Sequence, residues 1–232
     1  MSPFQAIREE CCLANRRLVT SGLAEITFGN VSVLDPQLGV FAIKPSGVAY
    51  DDLTPEHMVL LDLTGNVIEG KLRPSSDTPT HRRILEAFTG VCAVVHTHSR
   101  SAVSFAQASR EIPCLGTTHA DYFYGTIPCT RALTPPEIQK AYEWETGSAI
   151  VERFAKLDPF KMPAVLVCNH GPFTWGKTCT EAVENALALE IVAELALKTL
   201  SVDAKAVPLH QALLDKHYFR KHGASKYYGQ SQ

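Results

Sequence analysis

No run of lysine or arginine longer than two residues occurs in these 232 residues, and the formal net charge is −2. A chain without a basic stretch offers no bulk electrostatic footprint for nucleic acid. There is no apolar stretch of the roughly 20 residues needed to cross a bilayer. The longest candidate, Ala182 to Leu200, is interrupted by Glu184, Asn185, Glu190, Glu194 and Lys198. The N-terminus lacks a basic segment followed by an apolar one, so no secretory leader is expected. The seven cysteines form an odd set without a CxxC pair, which reads as reduced thiols in a cytoplasmic protein. Cys11 and Cys12 fall in a helical pattern and Cys92 and Cys168 in strand-like runs, where thiols act as small hydrophobes. No repeat, low-complexity segment or linker appears, and 232 residues fit one domain.

What is present is an α/β pattern. Ile7, Cys11, Leu13, Ala14 and Leu18 recur with helical spacing over residues 3–22. Strands are expected at Ile26–Phe28, Val31–Val33 and Val40–Ile43, with a turn at Asp35–Gly39. A second hairpin is expected from Met58–Leu61 and Val67–Ile68 around Thr64-Gly65-Asn66, so the first third should be antiparallel. Pro79 suits the first turn of a helix reaching about Phe88. Further helices are expected at 101–108, 135–155 and 179–200, the last two opened by Thr134-x-x-Glu137 and Thr178-x-x-Glu181 capping boxes. A strand at Ala164–Val167 should deliver His170, and the stretch from Gln211 has a helical pattern.

The chemistry begins at His96-Thr97-His98, directly after the apolar run Val91–Val95. In a strand, residues i and i+2 face one side, so two imidazoles are presented together at a strand end. Alone, such a pair reads equally as two structural histidines. A metal that does chemistry usually takes three protein ligands and keeps a position open. Asp77 and His170 stand at other element boundaries and would complete a three-His, one-carboxylate centre. Neutral imidazoles with one carboxylate suit Zn²⁺, with Mn²⁺ or Co²⁺ as substitutes. His81, His119, His210, His217 and His222 show no comparable pattern.

Lys44-Pro45-Ser46-Gly47 combines a cation, a hydroxyl and a glycine whose N–H can approach an anion. Taken alone it reads first as a plain turn. Gly29-Asn30 at a strand junction and Ser75-Ser76 just before Asp77 shift the reading toward a phosphate pocket beside the metal. Thr117 to Gly125 is polar with little hydrophobic period and reads as a solvated loop. The lysine- and tyrosine-rich tail, residues 216–230, reads as a docked or frayed end.

At these residues the chain resembles the L-ribulose-5-phosphate 4-epimerases of the class II aldolase superfamily. The likeness runs through Gly29-Asn30-Val31-Ser32, Ile43 to Val48, Pro74 to His81, Val95 to Arg100, Gly116 to Gly125, Tyr142 to Gly147, His170 to Phe173 and Leu214 to Tyr218. The Thr117–Thr126 stretch and the Tyr227-Tyr228-Gly229-Gln230 tail are the epimerase-like pieces. The resemblance implies a three-layer α/β/α domain with a largely antiparallel central sheet. It implies Asp77, His96, His98 and His170 as Zn²⁺ ligands, and Asn30, Lys44, Ser46, Gly47, Ser75 and Ser76 as the phosphate pocket. It further implies that Asp121 and Tyr228 are an acid/base pair supplied by the neighbouring subunit of a homotetramer. Thr117, Glu143, His217 and Arg220 would support them. The implied reaction interconverts L-ribulose 5-phosphate and D-xylulose 5-phosphate by breaking and remaking the C3–C4 bond, serving L-arabinose or L-ascorbate breakdown. The competing reading is a class II sugar-phosphate aldolase of the L-fuculose-1-phosphate type. That branch typically carries Glu where this chain has Asp77. A metal-free scaffold on the same fold is a third reading, opposed by the intact ligand set.

Overall fold

A computed structural model describes residues 2–223. Along the chain run α1 (Gln5–Thr20), β1 (Asn30–Asp35), β2 (Val40–Ile43), a 3-10 turn (Pro55–His57), β3 (Val59–Asp62), β4 (Val67–Glu69), α2 (Thr78–Ala87), β5 (Ala93–His96), α3 (Arg100–Gln107), α4 (Thr117–Ala120), α5 (Pro135–Arg153), β6 (Ala164–Leu166), β7 (Pro172–Gly176), α6 (Cys179–Val202) and α7 (Gln211–His222). The strands form one sheet in the order β4-β3-β2-β1-β5-β7-β6, and all neighbouring pairs are antiparallel.

The two-residue period of the strands divides the core between the faces of this sheet. Val31, Val33, Val40, Ala42, Ala93 and Val95 pack with Cys11 and Leu18 of α1 and with Ala182 and Val183 of α6. Phe41, Ile43, Val94, Phe173 and Trp175 face Ile84 of α2, Phe105 of α3 and Ile150 of α5, together with the later turns of α6. The result is the expected α/β/α layering. Each fully buried Phe or Ile stabilises it by about 1.5–3 kcal/mol. The helix starts follow their sequence signals. Thr134 and Glu137 make a reciprocal capping box with Pro135 in the first turn, and the Thr178 hydroxyl accepts from the Glu181 N–H.

Several expectations are corrected. Ile26–Phe28 is a turn, not a strand: Ile26 sits at φ +57°, and the Phe28 N–H donates to Glu25 O at 3.1 Å. The cause is the next residue. Gly29, at φ +82°, lies so close to β5 that an added Cβ would sit 2.9 Å from His96 O, and pairing begins only at Asn30. Leu13 does not join the buried face of α1 but is 71% exposed. Cys92 and Cys168 lie just outside β5 and β6 and are only partly buried, while Cys11 and Cys12 are buried as expected, and all seven thiols are free. Strand β7 was not anticipated, since it opens on a proline and ends on a glycine; proline is tolerated at a first strand position. The segment expected to be a solvated loop instead contains α4, with His119, Ala120 and Phe123 buried. The His119 ring nitrogen Nε2 bonds to Gly125 O at 2.7 Å.

Candidate metal centre

The site lies where β1 begins, β5 ends and the β6–β7 turn closes. Asn30, His96 and Phe173 are directly opposite one another across β1, β5 and β7. His96 is fully buried; its ring lies flat on Phe173 with centroids 4.3 Å apart. Its Nδ1 is 2.9 Å from Pro172 O. A carbonyl can only accept, so Nδ1 carries the proton and the Nε2 lone pair is free. That Nε2 is 3.0 Å from His98 Nε2. His98 sits beyond the strand end, stacked on Phe28 at 5.5 Å.

His170 arrives from the β6–β7 turn. Asn169 at φ +61° makes the bend, and its N–H donates to Ala106 O at 2.9 Å, tying the turn to the end of α3. One ring nitrogen from each of His96, His98 and His170 lies within 4.8 Å of the others. Burial pushes all three imidazoles below their usual pKa, against the opposing pull of Asp77. They are therefore neutral, the form a metal requires. Asp77 opens α2, and its Oδ2 accepts from Asn30 Nδ2 at 2.7 Å. Burial works to raise its pKa, but the hydrogen bond donated by the Asn30 amide and the surrounding imidazoles leave it below the usual carboxylate value, so it is ionised. Three converging neutral imidazoles beside one ionised carboxylate fit a divalent metal of the zinc type.

These four side chains line a cavity of about 410 Å³ together with Asn30, Lys44, Ser46, Gly47, Ser75, Ser76 and Glu143. Every residue expected in the metal and phosphate groups thus meets in one place. The loop after β2 and the loop before α2 are zipped together by Ser46 N–H to Arg73 O at 2.9 Å and Ser75 N–H to Lys44 O at 3.0 Å. Lys44 is buried, which lowers its pKa, and its Nζ donates to Val48 O at 2.8 Å. The Lys44 ammonium lies 4.8 Å from the Tyr50 ring. The Tyr50 hydroxyl bonds to the Gly29 carbonyl at 2.8 Å, holding the glycine loop in place.

A second group forms elsewhere. Thr117 and Asp121 bracket α4, while His217 and Arg220 lie on α7. Asp121 accepts from Arg220 Nη2 at 2.9 Å through both carboxylate oxygens and lies 3.1 Å from His217 Nδ1. Burial works to raise the Asp121 pKa, but Arg220 and His217 hold it below the usual range. None of Thr117, Asp121, His217 and Arg220 lines the cavity. Tyr228 lies outside the described residues.

One cavity residue, Tyr142, and one buried residue behind the cavity, His81, were not singled out as site residues from the sequence. Helix α5 breaks at Ala141 (φ −158°, ψ 60°), which brings Tyr142 as well as Glu143 to the cavity; the Tyr142 hydroxyl is 3.3 Å from His170 Nδ1. No sequence signal marks that break. His81 was set aside as an isolated histidine, yet its spacing of four from Asp77 on a helix places it on the same face.

Comparison with known proteins bears on the family and the fold. Residues 9–197 match the family described as class II aldolase and adducin N-terminal domain. The L-ribulose-5-phosphate 4-epimerase UlaF of Salmonella typhi is 46% identical over 227 residues, covering 98% of this chain and all of that protein. Among solved structures, an L-fuculose 1-phosphate aldolase superposes with a TM-score of 0.77 at 23% identity, covering 91% of this chain and 94% of its own. An aldolase II superfamily protein from Pseudomonas syringae gives 0.79 at 17% identity, covering 98% and 89%. The last two bear on the fold alone.

Proposed function

Because the chain belongs to the class II aldolase family, on its L-ribulose-5-phosphate 4-epimerase branch, we propose that it interconverts L-ribulose 5-phosphate and D-xylulose 5-phosphate. The observation that carries this reading is the single cavity in which the histidine cluster and Asp77 adjoin the Lys44–Gly47 and Ser75–Ser76 loops. A metal and a phosphate site side by side suit a small ketose phosphate. Likeness to an epimerase along the whole chain, with Asp rather than Glu at 77, favours epimerisation over aldol release.

In this reading His96, His98, His170 and Asp77 hold one Zn²⁺ per subunit, with Mn²⁺ or Co²⁺ as substitutes. Lys44, Ser46, Gly47, Asn30, Ser75 and Ser76 bind the phosphate. The zinc, when bound, supplies a Lewis acid to the C2 carbonyl and C3 hydroxyl oxygens. The C4 hydrogen is not next to the carbonyl, so inversion by simple deprotonation has no stabilised anion, and breaking C3–C4 avoids that difficulty. The reaction then needs two acid/base groups on opposite faces of the C4 aldehyde, one taking the hydroxyl proton and the other returning it after the fragment rotates, and these are the roles proposed for Asp121 and Tyr228. Thr117, Glu143, His217 and Arg220 support them. In this reading the pair comes from a neighbouring copy in a homotetramer, and the position of the Asp121 group away from the cavity of its own chain supports it. In this reading the protein is a single cytoplasmic domain. No described helix is long and apolar enough to cross a membrane.

The test is incubation with L-ribulose 5-phosphate, with and without a chelator, followed by carbon NMR. Metal-dependent D-xylulose 5-phosphate without free fragments is the expected result. Accumulating glycolaldehyde phosphate and dihydroxyacetone would make the protein an aldolase, and no turnover would remove this substrate.

A further inference from the structure

Two hydrogen-bonded rungs join α2 to β1. Asn30 and Ser32 are two apart on the strand and share a face; Asp77 and His81 are four apart along the helix and share another. Asn30 Nδ2 donates to Asp77 Oδ2 at 2.7 Å, and Ser32 Oγ lies 2.8 Å from His81 Nδ1. Two strand residues advance about 6.6 Å and four helical residues about 6 Å. The two rungs therefore match in one register of helix on strand, and a slip of one residue breaks both.

The second rung is built at a cost. Ser32 and His81 are fully buried, and His81 Nε2 has no hydrogen-bond partner among the described residues. Packing alone would favour an apolar residue at 81, because a buried polar atom left unpaired is unfavourable. The His81 ring meets the edge of Phe173 at 5.8 Å, and Phe173 is the ring on which His96 lies. His81 thus touches the support of one candidate ligand and shares a helix face with another.

We propose that Ser32 and His81 are positioning residues for the metal centre: their hydrogen bond sets the register of α2 on β1 and so holds the Asp77 carboxylate against the three imidazoles. The inference rests on the metal reading of the site. Its chemistry is that of outer partners, which orient ligands without touching the ion.

The experiment compares wild type with Ser32→Ala, His81→Gln and His81→Asn. The zinc dissociation constant of each stripped protein is measured by competition with a chromophoric chelator, and the metal-free melting temperature is measured in parallel. Ser32→Ala and His81→Gln should each weaken zinc about tenfold or more. His81→Asn, whose amide occupies the Nδ1 position and can pair with Ser32, should recover most of that loss. A purely structural role would lower the melting temperatures and leave the zinc constant of the folded protein unchanged. Should a His81 variant not fold, Ser32→Ala decides alone. A smaller loss in Ser32→Ala, or a His81→Asn protein no better than His81→Gln, overturns the proposal. Failure of wild type to bind zinc would overturn the metal reading itself, and the inference with it.

Discussion

The metal cavity and the Asp121 cluster are built in opposite ways. The cavity draws its side chains from β1, β5, the β6–β7 turn and the head of α2, all seated on the central sheet and its large core. The Asp121 cluster is held by α4 and α7, which meet over a small separate core of Cys114, Ala120 and Leu214, with Tyr124 and Leu209 against it. The candidate ligands are carried by the ends of strands and the head of a helix that pack on the large core. The proposed proton-transfer groups sit on a docked helix whose few buried contacts place it toward the low end of local stability.

The sharpest test of that division is removal of a cavity ligand. Asp77→Asn or His96→Ala should lose bound zinc, with activity falling below about 1% of wild type, since the remaining donors bind weakly. Metal analysis and turnover on the same preparations check it; full activity in a zinc-free variant would end the assignment. Next in size is Asp121→Asn, expected to keep its zinc while slowing turnover about 10²- to 10⁴-fold, the usual worth of a positioned acid or base. Mixing it with inactive His98→Ala subunits should restore activity by pairing an intact cavity with an intact cluster from another copy. No recovery in assemblies confirmed as mixed would place both halves of the site within one chain. The smallest effect is expected from Leu214→Ala, which deletes a buried side chain under α7 and weakens its docking by about 2–3 kcal/mol. Amide exchange should quicken in α7 and leave β1 and β5 protected. Zinc lost together with α7 protection would show the two regions to be one cooperative unit.

Much of the cavity was legible in advance because its residues stand at element boundaries and carry distinctive chemistry. His96 and His98 follow from strand alternation, and Lys44-Pro45-Ser46-Gly47 and Ser75-Ser76 from their donor groups. His81 was not legible as a partner of the site, because its meaning lies in Ser32, 49 residues away along the chain. Tyr142 was hidden by the break at Ala141, which no proline or glycine announces. The turn at Ile26 was misread because its residues favour strands, while the close approach of Gly29 to β5 is a tertiary demand that overrides local preference.

The sequence by itself determined the periodicities, the helix starts, the donor set and the kinship of the chain, since these depend on residue type and short-range spacing. Only the tertiary structure decided which groups share a cavity and which stand apart. It brought ring nitrogens of His96, His98 and His170 within 4.8 Å of one another with Asp77 in the same cavity, and left Asp121 with Arg220 and His217 outside that cavity. The physical reason is that antiparallel pairing joins residues as distant as Asn30, His96 and Phe173 into one row, and no local pattern encodes which strands become neighbours.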